Sequence, residues 1–484
     1  MDDALSGMAT SRGGQFTASD ATSDLLRRTQ EIAATFLAGV RDRRVGAVAD
    51  YRELLDTLGG PLPEAAEDAT TVIERLARDV DPGLVASAGP RYFGFVIGGA
   101  LPAAVAADWL TSAWDQHAFS FVTSPAAAVV EEITRRWLAD LLGLSPDVSL
   151  GVVTGATMAN FTGIAAGRHM LLKQAGWDVE EQGLFGAPPL AVVTSDESHA
   201  TIFAALQMLG LGRSRVARVA TDAQGRMRAD ELRVTLRQLD GPPLVCAQAG
   251  NVNTGAVDPI ADIANLVHDV GGWLHVDGAF GTWAAASPRL RHLTDGLALA
   301  DSLSVDAHKW LNVPYDCGFV FTRHIAAHRA AMSLEAAYYA PNPAEARANH
   351  HFVPESSRRA RCFSVYAALR SLGRSGLIDL VERCSALAQR MADRLSRHAR
   401  IHVLNDVVLN QVLVRIEPPS GDTSESAIDA FTALVVNRVQ EDRTCWLGGS
   451  IWQGGYVMRI AISNWSTSEA DIDRSADAII RCST

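Results

Sequence analysis

Leu25, Ile32, Phe36 and Val40 are apolar and fall on one face at helical spacing, which predicts a helix over residues 25–44. A second helical stretch follows over residues 69–79. Together they form a helical N-terminal region that ends near the Pro- and Gly-bearing run DPGLVASAGPRYFG. From there the texture changes. Short β-rich runs at residues 150–153, 190–194, 244–247, 273–276, 303–305 and 318–321 alternate with helix-compatible stretches such as 159–175 and 260–270. That alternation predicts an α/β fold, a predominantly parallel sheet covered by helices. Helical stretches at 363–372 and 377–398 then lead to strand-like runs at 412–416 and 456–462 with a helix around 426–441 between them, a compact α+β tail. There is no internal repeat.

The N-terminal stretch MDDALSGMATSRGGQFTASDATSD is acidic and polar, without the basic and apolar regions of a signal peptide. The longest weakly polar run, residues 93–107, is broken by Pro102 and stopped by Asp108, short of the roughly 20 residues that span a bilayer. The expectation is a soluble, cytoplasmic chain with no membrane partner. A length of 484 residues leaves room for two or three domains. The net charge of −12 is scattered without a basic stripe, so nucleic acid is not an expected partner. Six cysteines, with no C-x-x-C pair and no Cys/His cluster at ligand spacing, predict neither a disulfide framework nor a metal site.

One compositional feature bears on chemistry. Of the 43 basic residues only two are lysines, Lys173 and Lys309. Arginine cannot form an imine with an aldehyde, whereas a desolvated lysine can. A codon bias toward arginine produces the same scarcity, so the count only nominates two candidates. Lys173, in HMLLKQAG, reads as a solvated charge on a helix.

Four signals fall at the C-terminal ends of predicted strands, where open α/β sheets bind ligands. Val153 to Asn160, VTGATMAN, leads a strand through small and hydroxylated residues into a helix, whose first amides and the Thr157 hydroxyl suit a phosphate; a tight turn with an N-cap has the same pattern. WLHVDGAF delivers Asp277, either a turn carboxylate or a partner for a pyridinium nitrogen. SLSVDAHKW delivers Lys309 beside aromatic residues, and TSDESHAT places His199 where an imidazole can lie over a flat ring. Each is weak alone. Their order along an alternating α/β chain reads as a site for pyridoxal 5′-phosphate (PLP), held as a Schiff base on Lys309.

The same residues resemble the PLP-dependent group II decarboxylases, the aromatic-amino-acid and glutamate decarboxylase group. SVDAHKWLNVPYDCG is similar to that family's lysine segment, VDGAFG to its aspartate segment and SDESHATI to its stacking-histidine segment, with likeness from about residue 90 to the C-terminus, including RYFGFVIGG, AGNVNTGAVDPI and YVMRIAISNWSTSEADID. The resemblance implies PLP fold type I: a polar tail and N-terminal helical segment (1–88), a large PLP-binding domain with a mostly parallel seven-stranded sheet (89–372), and a small C-terminal α+β domain (373–484). It implies a homodimer with active sites at the interface. Lys309, His199 and His308 would be catalytic, with His199 stacked on the ring and His308 placed for proton transfer. Asp277 would pair with the ring nitrogen and Ala279 would lie against the ring. Ala156 and Thr157 would sit by the phosphate, and Asn251 stands where the family often has a threonine near the cofactor.

The implied reaction is decarboxylation of an L-amino acid, a small-molecule substrate, to its amine. The side-chain pocket maps to Phe95, Val96 and Ile97, with Phe119 and Phe121 from the partner chain; this set is apolar, with Arg91 the only nearby cation, and suits an aromatic or large apolar amino acid. The chain departs from the family in the loop that brings a tyrosine to the substrate. Anchored on Arg358 and Arg359, that region reads Asn349-His350-His351, with Tyr338 and Tyr339 earlier. An aminotransferase, a decarboxylation-dependent aldehyde synthase, a carbon–carbon lyase and a non-catalytic PLP-binding homologue remain as alternatives.

Overall fold

The computed structural model describes residues 20–484 apart from 335, 337, 338, 340, 341, 344 and 345. The first compact unit, up to Ala86, holds helices Asp20–Gly39, Tyr51–Leu58 and Ala69–Val80. The first ends five residues earlier than its periodicity predicts. Asp42 and Arg43 both donate their amides to the Gly39 carbonyl, turning the chain there, and Arg43 pairs with Asp81 at 2.8 Å. Val40, counted as part of the apolar face, lies in that turn.

The second unit, Ser87–Thr484, is built on a seven-stranded sheet. Its strands are β1 (Ser149–Val153), β2 (Val192–Ser195), β3 (Ala217–Val219), β4 (Leu244–Gln248), β5 (Trp273–Asp277), β6 (Ser302–Asp306) and β7 (Gly318–Thr322), in the order β1-β7-β6-β5-β4-β2-β3. β7 runs antiparallel to both neighbours and the remaining pairings are parallel. β1, β4, β5, β6 and β7 are buried along their whole length, and β4 and β7 accordingly read as short, nearly continuous apolar runs.

One face of this sheet carries a polar stripe. Side chains two apart share a face, so Trp273, His275 and Asp277 of β5 lie beside Ser302, Ser304 and Asp306 of β6, with His275 in register with Ser302 and Asp277 with Ser304. Helix Ala156–Gln174 packs on these strands. It comes so close that a Cβ on Gly163 would lie 2.8 Å from His275 Nδ1, so glycine is required there. That approach lets polar groups of the helix reach side chains of the sheet.

A smaller antiparallel sheet, order β10-β11-β9-β8, comprises β8 (Ile401–Val403), β9 (Gln411–Ile416), β10 (Gly448–Trp452) and β11 (Gly455–Ala461). The two helical stretches predicted after residue 362 join end to end as Cys362–Ser396, with a break at Gly373, whose φ is 61°. Among the described residues, no helix is long and apolar enough to cross a membrane.

Candidate active site

The strand ends converge on a cavity of about 340 Å³ lined by Gly155, Ala156, Thr157, His199, Asp277, Ala279, His308 and Lys309, among others. A larger cavity of about 860 Å³ lies near Phe121, Val129, Ile133 and Arg347. It is the smaller one that gathers an amine, two carboxylates and two imidazoles, so the chemistry belongs there.

Lys309 stands three residues beyond Asp306, the last residue of β6, and its Nζ lies 3.1 Å from Asp306 Oδ2. The other Asp306 oxygen accepts the Ala156 amide at 2.6 Å and lies 3.6 Å from His308 Nε2. Asp306 therefore ties the lysine, the histidine and the helix start together. It also occupies the Ala156 amide, so among the first amides of this helix, which have no intrahelical acceptor, those of Thr157 and Met158 are left for an anion.

His308 Nδ1 accepts the Cys317 amide at 3.2 Å, which leaves the hydrogen of the neutral ring on Nε2, facing Asp306. Its ring packs 4.3 Å from that of Tyr315. Burial lowers the His308 pKa, with Asp306 opposing. His199 caps helix Ala200–Met208, its Nδ1 accepting the Thr201 amide at 3.3 Å. Although its ring opens onto the cavity, the protein packed around it lowers its pKa, with Asp277 opposing and Lys309 and Arg459 adding to the effect. Both imidazoles are thus biased toward the neutral form at neutral pH.

Asp277, at the end of β5, is 6% exposed. Oδ1 accepts from the Ala279 amide at 3.2 Å and the Ser304 hydroxyl at 3.4 Å, and Oδ2 from Asn160 Nδ2 at 2.9 Å. With three donors placed on it, the carboxylate still has a lone pair for one more donor from the cavity.

The segment before Lys309 in space is Phe95 to Gly98. Phe95 and Val96 both take positive φ, 58° and 115°, which is strained for side chains of this size. A Cβ on Gly98 would lie 1.7 Å from the Lys309 carbonyl oxygen. Gly98→Ala must displace that backbone, so it is expected to cost about 1–3 kcal/mol of stability and to weaken cofactor binding; a lowered thermal midpoint and a cofactor titration check this.

Several expected site residues lie elsewhere. The Asn251 side chain serves its own loop, Oδ1 accepting the amides of Asn253 and Thr254 and Nδ2 donating to the Glu197 carbonyl; Gly250 and Val252, its neighbours, line the cavity instead. Phe95 stacks on Trp446 at 5.6 Å and Phe119 on His350 at 3.9 Å; neither they nor Val96 and Ile97 line the cofactor cavity of their own chain. Arg91 donates to the Thr444 carbonyl. The loop histidines are buried in a 3-10 turn, Asn349–Phe352, where His350 Nδ1 donates to the Phe119 carbonyl at 3.3 Å and His351 Nδ1 bonds Ser333 at 3.0 Å. Tyr338 lies outside the described residues. Arg358 pairs with buried Glu131, and Arg359 with Asp108 at 2.9 Å.

Three contributors escaped the sequence reading. Asp306 was in view, three residues before Lys309. Asn160 lies inside the VTGATMAN segment. Arg459, a single cation in the apolar strand β11, donates to the carbonyls of Val252 and Phe95 at 3.3 and 3.4 Å. Burial lowers its pKa with no carboxylate opposing.

The conserved-domain model of the pyridoxal-dependent decarboxylases matches residues 52–417. The chain is 28% identical over 441 residues to an aromatic-L-amino-acid decarboxylase of Bacillus atrophaeus, covering 90% of this chain and 89% of that one. It is 25% identical over 435 residues to a 4-hydroxyphenylacetaldehyde synthase of Rhodiola rosea, covering 86% of each. The crystal structure of Oryza sativa TDC with PLP and tryptamine superposes with a TM-score of 0.90 at 23% identity, over 97% of this chain and 99% of that one, a likeness of fold.

Proposed function

Because the chain belongs to the pyridoxal-dependent decarboxylase family, we propose that its substrate is an aromatic or large apolar L-amino acid, whose carboxylate it removes as CO2 to release the amine. The observation that carries this reading is the meeting of Lys309, Asp277, His199 and His308 in one cavity, with Arg459 close enough to His199 to influence its titration.

The donor set fits PLP. Lys309 would hold its aldehyde, Asp277 its ring nitrogen, His199 and Ala279 its faces, and the Thr157 and Met158 amides with the Thr157 hydroxyl its phosphate. Bound there, the cofactor supplies an electron-withdrawing ring that takes up the pair left when a carboxylate departs.

The chain's own groups do the rest. Asp306 holds the Lys309 amine and the helix start in a fixed relation. His308, neutral and carrying its hydrogen on Nε2, would hold or pass a proton beside Lys309. Arg459, a cation with no acidic partner among the described residues, would fix the substrate carboxylate by charge-assisted hydrogen bonds. Arg459→Met is then expected to lower kcat/KM by about ten- to a hundredfold, chiefly through KM, while the cofactor stays bound; steady-state kinetics beside the visible spectrum separate the two.

Support for an aromatic or apolar substrate comes from Phe280 in the cavity lining, Tyr315 on His308 and the Bacillus relative. A panel comparing kcat/KM for tryptophan, tyrosine, phenylalanine and glutamate tests it: preference for glutamate would refute the substrate class. A second reading, release of the aldehyde instead of the amine, is favoured by the Rhodiola relative; oxygen uptake coupled to turnover would distinguish it.

We further propose a cytoplasmic homodimer, organised as a tail and helical segment (1–88), a PLP-binding domain (89–372) and a C-terminal domain (373–484). The six free cysteines suit a reducing compartment. Trp109, Leu110, Trp114 and Val129 leave large apolar surface exposed that a second chain would cover. Phe95, Val96 and Ile97 would then serve the substrate pocket together with Phe119 and Phe121 of the second chain, and Asn251 would act by shaping its loop.

A further inference from the structure

Asn160 is fully buried in helix Ala156–Gln174, and its side chain makes three hydrogen bonds, with both amide hydrogens used. Its Oδ1 accepts from His275 Nε2 at 2.9 Å. Its Nδ2 carries two hydrogens, of which one goes to Asp277 Oδ2 at 2.9 Å and the other to Thr201 Oγ1 at 3.2 Å. Thr201 Oγ1 in turn stands 2.7 Å from His199 Nδ1.

The direction of these bonds follows from chemistry. A carboxylate can only accept, so the amide nitrogen of Asn160 must face Asp277 and its oxygen must face His275. His275 then donates from Nε2, and its Nδ1 accepts from Ser302 Oγ at 2.8 Å. Ser302 Oγ itself accepts from Trp273 Nε1 at 3.0 Å. Burial holds His275 neutral, its pKa lowered to about 4, so the ring has one donor and one acceptor and cannot run the chain backwards. The series Trp273, Ser302, His275, Asn160 is thus a line of donors, each polarising the next, that ends on Asp277. A branch leaves at Asn160 through Thr201 and ends on His199.

We propose that Asn160 is the positioning residue that couples the two groups facing the cofactor ring, fixing the charge of Asp277 toward the ring nitrogen and the orientation of His199 toward the ring face. The proposal rests on the reading of the cavity as a PLP site. It does not follow from spacing alone: Asn160 is a full helical turn inside the segment, and it reaches the sheet only because Gly163 lets the helix close on His275.

The test uses the PLP-loaded protein and reads the cofactor itself. With ring-15N-labelled PLP, the wild type should show a protonated-nitrogen resonance across neutral pH. Asn160→Leu, which keeps the volume and removes all three hydrogen bonds, is expected to move that resonance toward the unprotonated position, to lower the pH at which it titrates, and to raise the cofactor Kd about ten- to a hundredfold. His275→Phe breaks the line one link upstream and should shift the resonance in the same direction by less, which keeps the question answerable if Asn160→Leu does not fold. A lowered thermal midpoint with an unchanged resonance and pH profile would mean that Asn160 only packs, and would overturn the proposal. If the wild type does not retain PLP on Lys309 after borohydride reduction, the reading of the site itself fails, an outcome distinct from an unaltered variant.

Discussion

Lys309→Ala is expected to yield a folded protein from which borohydride no longer traps PLP and whose decarboxylation falls by roughly four orders of magnitude. The experiment is unusually clean in this chain, because it contains only two lysine side chains. Lys173, the other, is 60% exposed and paired with Asp178 at 3.0 Å on the surface of helix Ala156–Gln174. Lys173→Ala should therefore leave trapping and turnover unchanged. Trapping that moved to Lys173, or that survived in Lys309→Ala, would mean that the cavity at the end of β6 is not where the cofactor is held.

The second large effect is expected at Asp277. Asn160, Ser304 and the Ala279 amide all donate to it. Asp277→Asn leaves one oxygen to accept from three donors and turns a buried amide NH2 toward groups that can only donate or prefer to. It also removes the negative charge that, on the proposed reading, would keep a ring nitrogen protonated. A site prearranged around that charge loses about a thousandfold in kcat when it is neutralised, and the cofactor should bind more weakly as well. Asp277→Glu keeps the charge but cannot keep the geometry, so it should rescue little. Near-wild-type kcat in Asp277→Asn, with PLP bound, would show that no charge is needed at the ring nitrogen.

Much of this was legible because buried strands announce themselves. β4, β5 and β6 read as short β-rich runs, each ending on a polar residue, and Asp277 stands at the end of β5 and Lys309 three residues beyond the end of β6. β3 escaped, being three residues long with one exposed arginine, Arg218. Helix Tyr51–Leu58 was missed although Asp50 and Glu53 form a reciprocal cap at its start, a signal visible in the sequence. The site's chemistry divides in the same way. Residues that line the cavity from a strand end could be named from their position in the chain. Asn160 and Arg459 make their contacts across elements, and what they face is decided by how closely a helix lies on the sheet and by where β11 runs. The pocket residues Phe95 and Phe119 were named from likeness, and within one chain their rings pack on Trp446 and His350.

The central claim, that this cavity decarboxylates an amino acid, is tested most directly by product balance. The PLP-loaded protein would be incubated with tryptophan, tyrosine or phenylalanine, with CO2, amine, aldehyde and keto acid measured together. The account predicts CO2 and amine in equal amounts for at least one of these substrates, with neither formed by Lys309→Ala. Keto acid without CO2 would contradict it.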